Sequence, residues 1–333
     1  MSRPTAVQAA AILLLGGALL TPARAATELT LATFGGSSNL PVWLALDKGY
    51  FTREGLAVKQ EVVQGSSAEV QGLMSGKYQI GTTAFDNVIA IAEGQGDIKP
   101  EGYDLVGIMG VHSGMNSIVT RPEIKSFREL RGKAVASDAL TSGYGLMLFR
   151  ILEKNGLKLN QDYTAIAVGS GPNRLKAMQA GKAFAAALSA PDDIEASHMG
   201  YNILADAAAE LGAYQGSAYV VRRAWAKDHE QEVVAFIRAI APATDSVFSD
   251  RAGAIAELKQ RIKSLNDAEA ATVYGALTSP KGGLNHGAHI NIEGVKMLLS
   301  LRTDYGEPKK TLNDPMKYVD LTYYAKATAD MKQ

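Results

Sequence analysis

Two spacings of apolar residues alternate along the first two-thirds of the chain. Runs with every second position apolar read as strands, and runs with apolar residues three or four apart read as helices. Residues 29–34 (LTLATF) alternate like a strand, and Leu40, Trp43, Leu44 and Ala45 then recur at helical spacing. Gly35-Gly36-Ser37-Ser38-Asn39 joins them. Such a junction offers free backbone N–H groups and small hydroxyls at a positive helix end, suited to an anion or another acceptor. A strand over 57–64, a helix over 66–75, a strand over 79–85 and a helix over 86–93 follow, with Asp86 as the expected N-cap. Beyond a Gly- and charge-rich loop at 94–103, strands at 105–111 and 117–120 flank His112-Ser113-Gly114-Met115-Asn116.

The pattern restarts at Lys133: strands over 133–137, 164–168 and 183–188, a helix over 144–155, another ending at Ala180, and a short one after Ser189-Ala190-Pro191-Asp192-Asp193. Alternation of this kind favours parallel α/β layers. Residues 65–77 (GSSAEVQGLMSGK) line up with 170–182 (SGPNRLKAMQAGK), which either reflects duplicated architecture or a shared helix-to-strand turn. After a strand at 219–222 the chain is wholly helical. Val233, Phe236, Ile237 and Ile240 form one apolar stripe, Ile292, Val295 and Leu299 another, and Asn266 and Asp314 mark helix starts. This block has no strand partner of its own and is expected to pack back on the first half.

The N-terminus reads differently. Arg3, an apolar run from Ala9 to Leu20 and Ala23-Arg24-Ala25 have the order of a secretory leader, cleaved near Ala25/Ala26. The run is too short to span a bilayer, which needs about 20 residues. Of the 34 basic residues Arg3 and Arg24 go with the leader, leaving 32 against 34 acidic ones. The near-neutral balance gives no footprint for nucleic acid. With no cysteine anywhere, disulfides, thiolate metal sites, cysteine nucleophiles and a lipoprotein-type anchor are excluded.

The motifs of serine hydrolases, zinc peptidases, P-loops and dinucleotide folds are absent. His286 and His289 share a Gly-rich connection without an obvious third metal ligand and read as solvated loop histidines; His198 and His229 read as surface residues. No catalytic residue, metal or cofactor is expected. The informative pattern is positional. Small polar residues recur where strands pass into helices: Gly36-Ser37-Ser38-Asn39, Gly65-Ser66-Ser67, Thr82-Thr83, Thr141-Ser142-Gly143, Ser170-Gly171 and Ser189. In parallel sheets ligands sit beyond these strand ends, although each junction alone also reads as an ordinary N-cap.

Phe34, Trp43, Phe85, Tyr144 and His112 lie near the same junctions; Trp43 also reads as packing under a cleft. Arg174 either pairs a ligand carboxylate or sulfonate or faces solvent. Asp86 either receives a ligand amine or stays structural, and Asp192-Asp193 read as a helix cap or a ligand contact. The candidate ligand set is therefore Phe34, Ser37, Ser38, Asn39, Trp43, Thr83, Phe85, Asp86, His112, Asn116, Thr141, Ser142, Tyr144, Ser170, Asn173, Arg174 and Ser189.

Several segments carry a family resemblance. Leu40-Pro41-Val42-Trp43-Leu44-Ala45 with Asp47-Lys48-Gly49-Tyr50-Phe51, then Ser126-Phe127-Arg128-Glu129-Leu130-Arg131-Gly132-Lys133, resemble the openings of the two domains of the solute-binding proteins that serve ABC importers for nitrate, sulfonates, taurine and thiamine-type pyrimidines. Leu152-Glu153-Lys154-Asn155-Gly156-Leu157 and Ala177-Met178-Gln179-Ala180-Gly181-Lys182 are similar to later family segments, although Ala183-Phe184 replaces the usual acidic-Ala pair. The resemblance implies an α/β type II periplasmic binding protein fold, two-lobed with two hinge strands and a helical C-terminal block. Residues 1–25 would be the leader, 26–112 and 217–333 lobe I, and 113–216 lobe II, with crossovers near 109–117 and 212–217. It also implies a periplasmic monomer, no membrane insertion, a small organic ligand (sulfonate, carboxylate or pyrimidine class), and an ABC permease with its ATPase as partners. An exported enzyme on the same fold and a free ligand-sensing protein are the alternatives. The fungal pyrimidine synthase branch uses a cysteine-rich motif that this chain cannot form.

Overall fold

The computed structural model describes residues 25–329. Residues 1–24, nearly all of the expected leader, lie outside the described residues. Among the described residues ten strands form: β1 (Thr27–Thr33), β2 (Leu56–Val62), β3 (Ile80–Ala84), β4 (Leu105–His112), β5 (Ser117–Thr120), β6 (Lys133–Ser137), β7 (Tyr163–Ala167), β8 (Ala185–Leu188), β9 (Asn202–Asp206) and β10 (Ser217–Arg222). They build two five-stranded sheets, ordered β2-β1-β3-β10-β4 and β7-β6-β8-β5-β9.

The two orders follow one plan. Three parallel strands stand side by side, and the next strand, antiparallel to its neighbours, has arrived from the other sheet: β10 in the first, β5 in the second. The two similar segments, 65–77 and 170–182, occupy the same place in that plan, each bridging the edge strand to the third parallel strand. The chain passes between lobes through 113–116 and again through 212–216.

Apolar alternation buries one face of the first sheet under the helices Leu40–Asp47, Glu230–Ser249 and Thr322–Ala329. Phe236 anchors this layer, its ring 5.5 Å from that of Phe51 and 5.4 Å from that of Tyr219. Burial of each such aromatic or aliphatic side chain stabilises the fold by about 1.5–3 kcal/mol relative to exposure. The opposite face carries the helices Phe85–Glu93 and Ile292–Tyr305. The C-terminal block thus packs back on the first sheet, and its helix Ile292–Tyr305 also lies against Gly143–Lys154 of the second lobe.

Two elements depart from the sequence reading. Strand β9 went unforeseen because it is a half-exposed edge strand whose sides show no clean alternation. Asp86 is not an N-cap: its helix begins at Phe85 after Ala84, and no side chain caps it.

Candidate functional site

The loops that follow the parallel strands of the two sheets meet face to face. Gly36, after β1, has φ of 132°, a conformation that glycine adopts without strain, and this lets the loop pass close to the carbonyl of Ala190 after β8. Gly143, after β6, sits so tightly against Asp86, after β3, that a methyl group there would overlap the Asp86 side chain. The lobes are therefore closed on each other, and the cleft between them is where the candidate residues can be assessed.

On the first-lobe wall Ser37 is buried and Ser38 half-buried. Asn39 turns inward, its amide donating to the carbonyls of Phe34 (2.6 Å) and Gly36 (3.1 Å), so it braces the loop from within. Phe34 is half-buried against the core. Trp43 and Phe85 are core residues: Trp43 packs in the layer under the first sheet, and the fully buried Phe85 ring covers Gly107. Thr83 accepts from the amide of Asn87 (3.0 Å), which also donates to Ser66 (3.1 Å).

Asp86 requires a correction as an amine receptor. Arg302 donates to both of its oxygens, through Nε at 2.7 Å and through Nη2, and both side chains are about 1% exposed. A carboxylate so buried and already charge-paired serves as a structural partner of Arg302. Nη2 of Arg302 also donates across the lobes to the carbonyl of Thr141 (2.7 Å).

At the hinge, His112 is buried and its Nδ1 accepts the N–H of Gly114 (3.1 Å). Burial pulls its pKa down to about 4, so it is a neutral hinge brace at physiological pH. Asn116 is buried beside it, its carbonyl accepting the N–H of Ala207 (2.9 Å).

On the second-lobe wall Thr141 is exposed and its hydroxyl donates to Asp97 of the first lobe (3.0 Å). Ser142 is a true N-cap, accepting the Gly145 N–H (3.0 Å) and donating to Asp138. The Tyr144 hydroxyl stands 3.5 Å from that of Ser217, and burial raises its pKa. Ser170 and Asn173 are exposed at the rim, and Ser189 is half-buried with its carbonyl accepting the Asp192 N–H (2.9 Å).

Arg174 is the residue that stands out. It is 9% exposed, yet among the described residues it makes one hydrogen bond, from Nη1 to the Gly169 carbonyl (2.9 Å), and its sealed Nε has no partner. Burial lowers its pKa, and the nearby charges of Asp138 and Asp192 pull it back up. An arginine held this way has donor capacity left for a further acceptor.

Three groups were missed or misjudged by sequence. Asp192 and Asp193 do not cap their helix. Burial raises Asp192 to about 6 against the opposing pull of Arg174, and it raises Asp193, one of whose oxygens accepts from Ser117 (2.9 Å) while the sealed Oδ1 has no partner. The signal for them was position, the third strand-to-helix junction of the second lobe. Arg302 had no signal at all, since its partner lies 216 residues away.

The histidines behave as loop residues. His286 stacks on Phe248 and His289 meets the Tyr324 hydroxyl, both lining an open hollow on the first lobe away from the cleft. Among the described residues no group of three or more metal-ligating side chains gathers anywhere. No helix among them is long and apolar enough to cross a membrane.

Comparison with known proteins gives this geometry a context. A family model described as "NMT1/THI5 like" matches residues 37–254, about two thirds of the chain. A protein of Uromyces fabae named 4-amino-5-hydroxymethyl-2-methylpyrimidine phosphate synthase is 28% identical over 238 residues, covering 66% of this chain and 66% of its own, just under two thirds of its length. Among solved structures, the periplasmic nitrate-binding protein of Synechocystis PCC 6803 superposes with a TM-score of 0.75 at 11% identity, over 92% of this chain and 89% of that one. The alkanesulfonate-binding protein of Xanthomonas axonopodis pv. citri, bound to MOPS, does so with a TM-score of 0.67 at 18% identity, over 90% and 97%. At these identities the structural likeness establishes the fold.

Proposed function

Because the chain belongs to the NMT1/THI5-like family, we propose that it is the extracytoplasmic solute-binding component of an ABC importer. It closes two lobes, 26–112 with 217–333 and 113–216, around a small organic ligand bearing an acidic group and hands it to a permease. The observation that carries this reading is Arg174, nine-tenths buried in the wall of a closed interlobe cleft with its Nε unpartnered. The leader-like N-terminus and structural neighbours named for periplasmic nitrate and alkanesulfonate binding support it.

The physics is hinge closure by population shift, in which the ligand stabilises the closed form to the extent that it binds that form better. Micromolar affinity needs about 8 kcal/mol. Charge-assisted hydrogen bonds of about 1.5–3 kcal/mol each supply this with four or five contacts, after a few kcal/mol of association cost. The test is a thermal-shift screen of sulfonates, carboxylates, nitrate and pyrimidines. At about 100 times its Kd a ligand adds ~2.7 kcal/mol, several degrees of Tm, and should be recovered unchanged by mass spectrometry. A panel without any shift would refute the binding reading.

A second reading, catalysis on the same fold, is favoured by the relative named as a pyrimidine phosphate synthase. A ligand that returns chemically altered selects it.

A further inference from the structure

Two carboxylates act on Arg174, Asp138 and Asp192, and they are held unequally. Asp138 accepts from the hydroxyls of Ser137 (3.1 Å) and Ser142 (2.5 Å), bonds that favour its ionised form. Asp192 has no such support. It opens the helix Asp192–His198, and the start of the neighbouring helix Gly171–Gln179 packs so closely on it that a methyl group on Gly171 would overlap its Oδ2. No N–H of that helix start donates to it, and among the described residues its side chain takes part in no hydrogen bond.

Arg174 is drawn to both charges and bonds neither. Its hydrogen bond goes to the Gly169 carbonyl, and its sealed Nε has no partner. An anion that accepts from Arg174 therefore competes with Asp192 for one positive charge without having to break any bond of Asp192. Two anions beside one guanidinium repel, and the one without a donor to hold its charge is the one that takes up a proton. Once protonated, Asp192 no longer repels the anion and carries an O–H donor.

We infer that Asp192 is the specificity-determining residue beside Arg174, and that the ligand's acidic group enters together with a proton taken from solvent onto the Asp192 carboxyl. This rests on the solute-binding reading above and adds a condition to it: alkaline pH leaves Asp192 charged and excludes the anion. Burial already raises Asp192 to about 6 without a ligand, Arg174 opposes this, and Glu195 and Asp193 of its own helix add to it. The elements around this helix bring few other charges. Ser117 of β5 is neutral and bonds Asp193, and Asp206 of β9 caps the next helix through the Ala209 N–H (2.7 Å). The first-lobe loop that approaches Ala190, residues 35–39, has no titratable side chain. At the far end of the helix His198 reaches Glu269 of the first lobe (3.2 Å), a titratable contact that needs its own control.

The experiment measures nitrate, ethanesulfonate and benzenesulfonate, whose own charge does not change over the range, by calorimetry at about pH 5.5 and about pH 8. By linkage, a tenfold gain in the proton affinity of Asp192 on binding is a tenfold gain in anion affinity as pH falls. At least one of the three should therefore bind about five- to tenfold more weakly at the higher pH, and should take up about half a proton near pH 6.5 in buffers of different ionisation enthalpy. The proton uptake is read on the wild type and needs no variant. Asp192→Asn, with its circular dichroism signal intact, should bind the same anion at the higher pH about as tightly as the wild type does at the lower one, without proton uptake. Loss of a merely structural carboxylate would not strengthen binding. His198→Gln should keep the wild-type pH dependence. Equal affinity at both pH values, pH dependence that survives in Asp192→Asn, or pH dependence lost in His198→Gln overturns the inference and leaves the solute-binding reading standing. Absence of binding by all three anions also overturns it, and the wider panel above then decides the solute-binding reading separately.

Discussion

Glu69 offers a test of the structure that needs no ligand. It is fully buried in the first turns of the helix Ser66–Met74, against Gly81 and Leu73, and both carboxyl oxygens lack a hydrogen-bond partner. Burial raises its pKa from 4.5 to about 8, with the nearby Thr83 hydroxyl offsetting this slightly at a geometry short of a formed bond. The folded protein therefore keeps a proton that the unfolded chain releases, and stability falls as pH rises from 4.5 to about 8. Other groups share the lower part of that range. Asp192, raised to about 6, acts in the same direction below pH 6, and His112, lowered to about 4, acts in the opposite direction below 6.5. Between pH 6.5 and 8 Glu69 acts alone among these, and at about 1.36 kcal/mol per pH unit the loss is ~2 kcal/mol. For a folded chain of about 300 residues that is a fall in Tm of roughly 3 °C. Differential scanning fluorimetry from pH 6.5 to 8 should show the fall in the wild type and a flatter profile in Glu69→Gln, which becomes the more stable protein at pH 8. Parallel profiles would refute the burial and isolation assigned to this carboxyl.

Two further substitutions probe the contact between lobes. Asp86→Ala leaves Arg302 as an uncompensated buried charge and should cost about 3–5 kcal/mol in urea unfolding; Asp86→Ala with Arg302→Met should recover part of that loss, and equal destabilisation of the single and double variants would contradict the pair's role. Gly143→Ala places a methyl on the Asp86 side chain only when the lobes are closed, so ligand affinity should fall by about tenfold or more and the radius of gyration measured with ligand should rise, while stability without ligand changes by less than about 1 kcal/mol.

How far the sequence revealed this molecule depends on the range of the signal. The alternating strands β1 to β8 and the stripe Val233, Phe236, Ile237 and Ile240 were legible because their partners are sheets and layers, which any apolar face will meet. Strand β9 gave no such pattern, being half-exposed along its length. The site was legible by position only. Small polar residues at strand ends marked the cleft, but several of them serve the loops themselves: Ser142 caps and Asn39 braces. Trp43 and Phe85, near the same junctions, went to the core, where large aromatic side chains are most stabilising. Asp86 looked free because Arg302, its partner, lies far off in sequence. Asp192 and Asp193 looked like caps because acidic residues favour helix starts, and only the fold shows that Asp192 faces Arg174 while Asp193 accepts from Ser117.

The polar contacts between the lobes lie mostly at the surface. The charged pair Asp86–Arg302 lies wholly within the first lobe, so it is already formed before the lobes meet, and closing adds one hydrogen bond from Arg302 to the Thr141 carbonyl. Besides the Tyr144 and Ser217 hydroxyls, 3.5 Å apart, and the hydrogen bonds at the hinge, side-chain bridges run from the Thr141 hydroxyl to Asp97, from Arg150 to Asp304 and Tyr305, from Tyr305 to Glu153, and from His198 to Glu269 at 3.2 Å. Each includes a side chain exposed to solvent, and exposed ion pairs contribute only about 0–1 kcal/mol. These polar bridges amount to a few kcal/mol at most, and the apolar packing of Ile292–Tyr305 against Gly143–Lys154 adds to them. Contact between the lobes thus rests on that packing and on solvent-exposed bridges rather than on the Asp86–Arg302 pair, which lies within the first lobe.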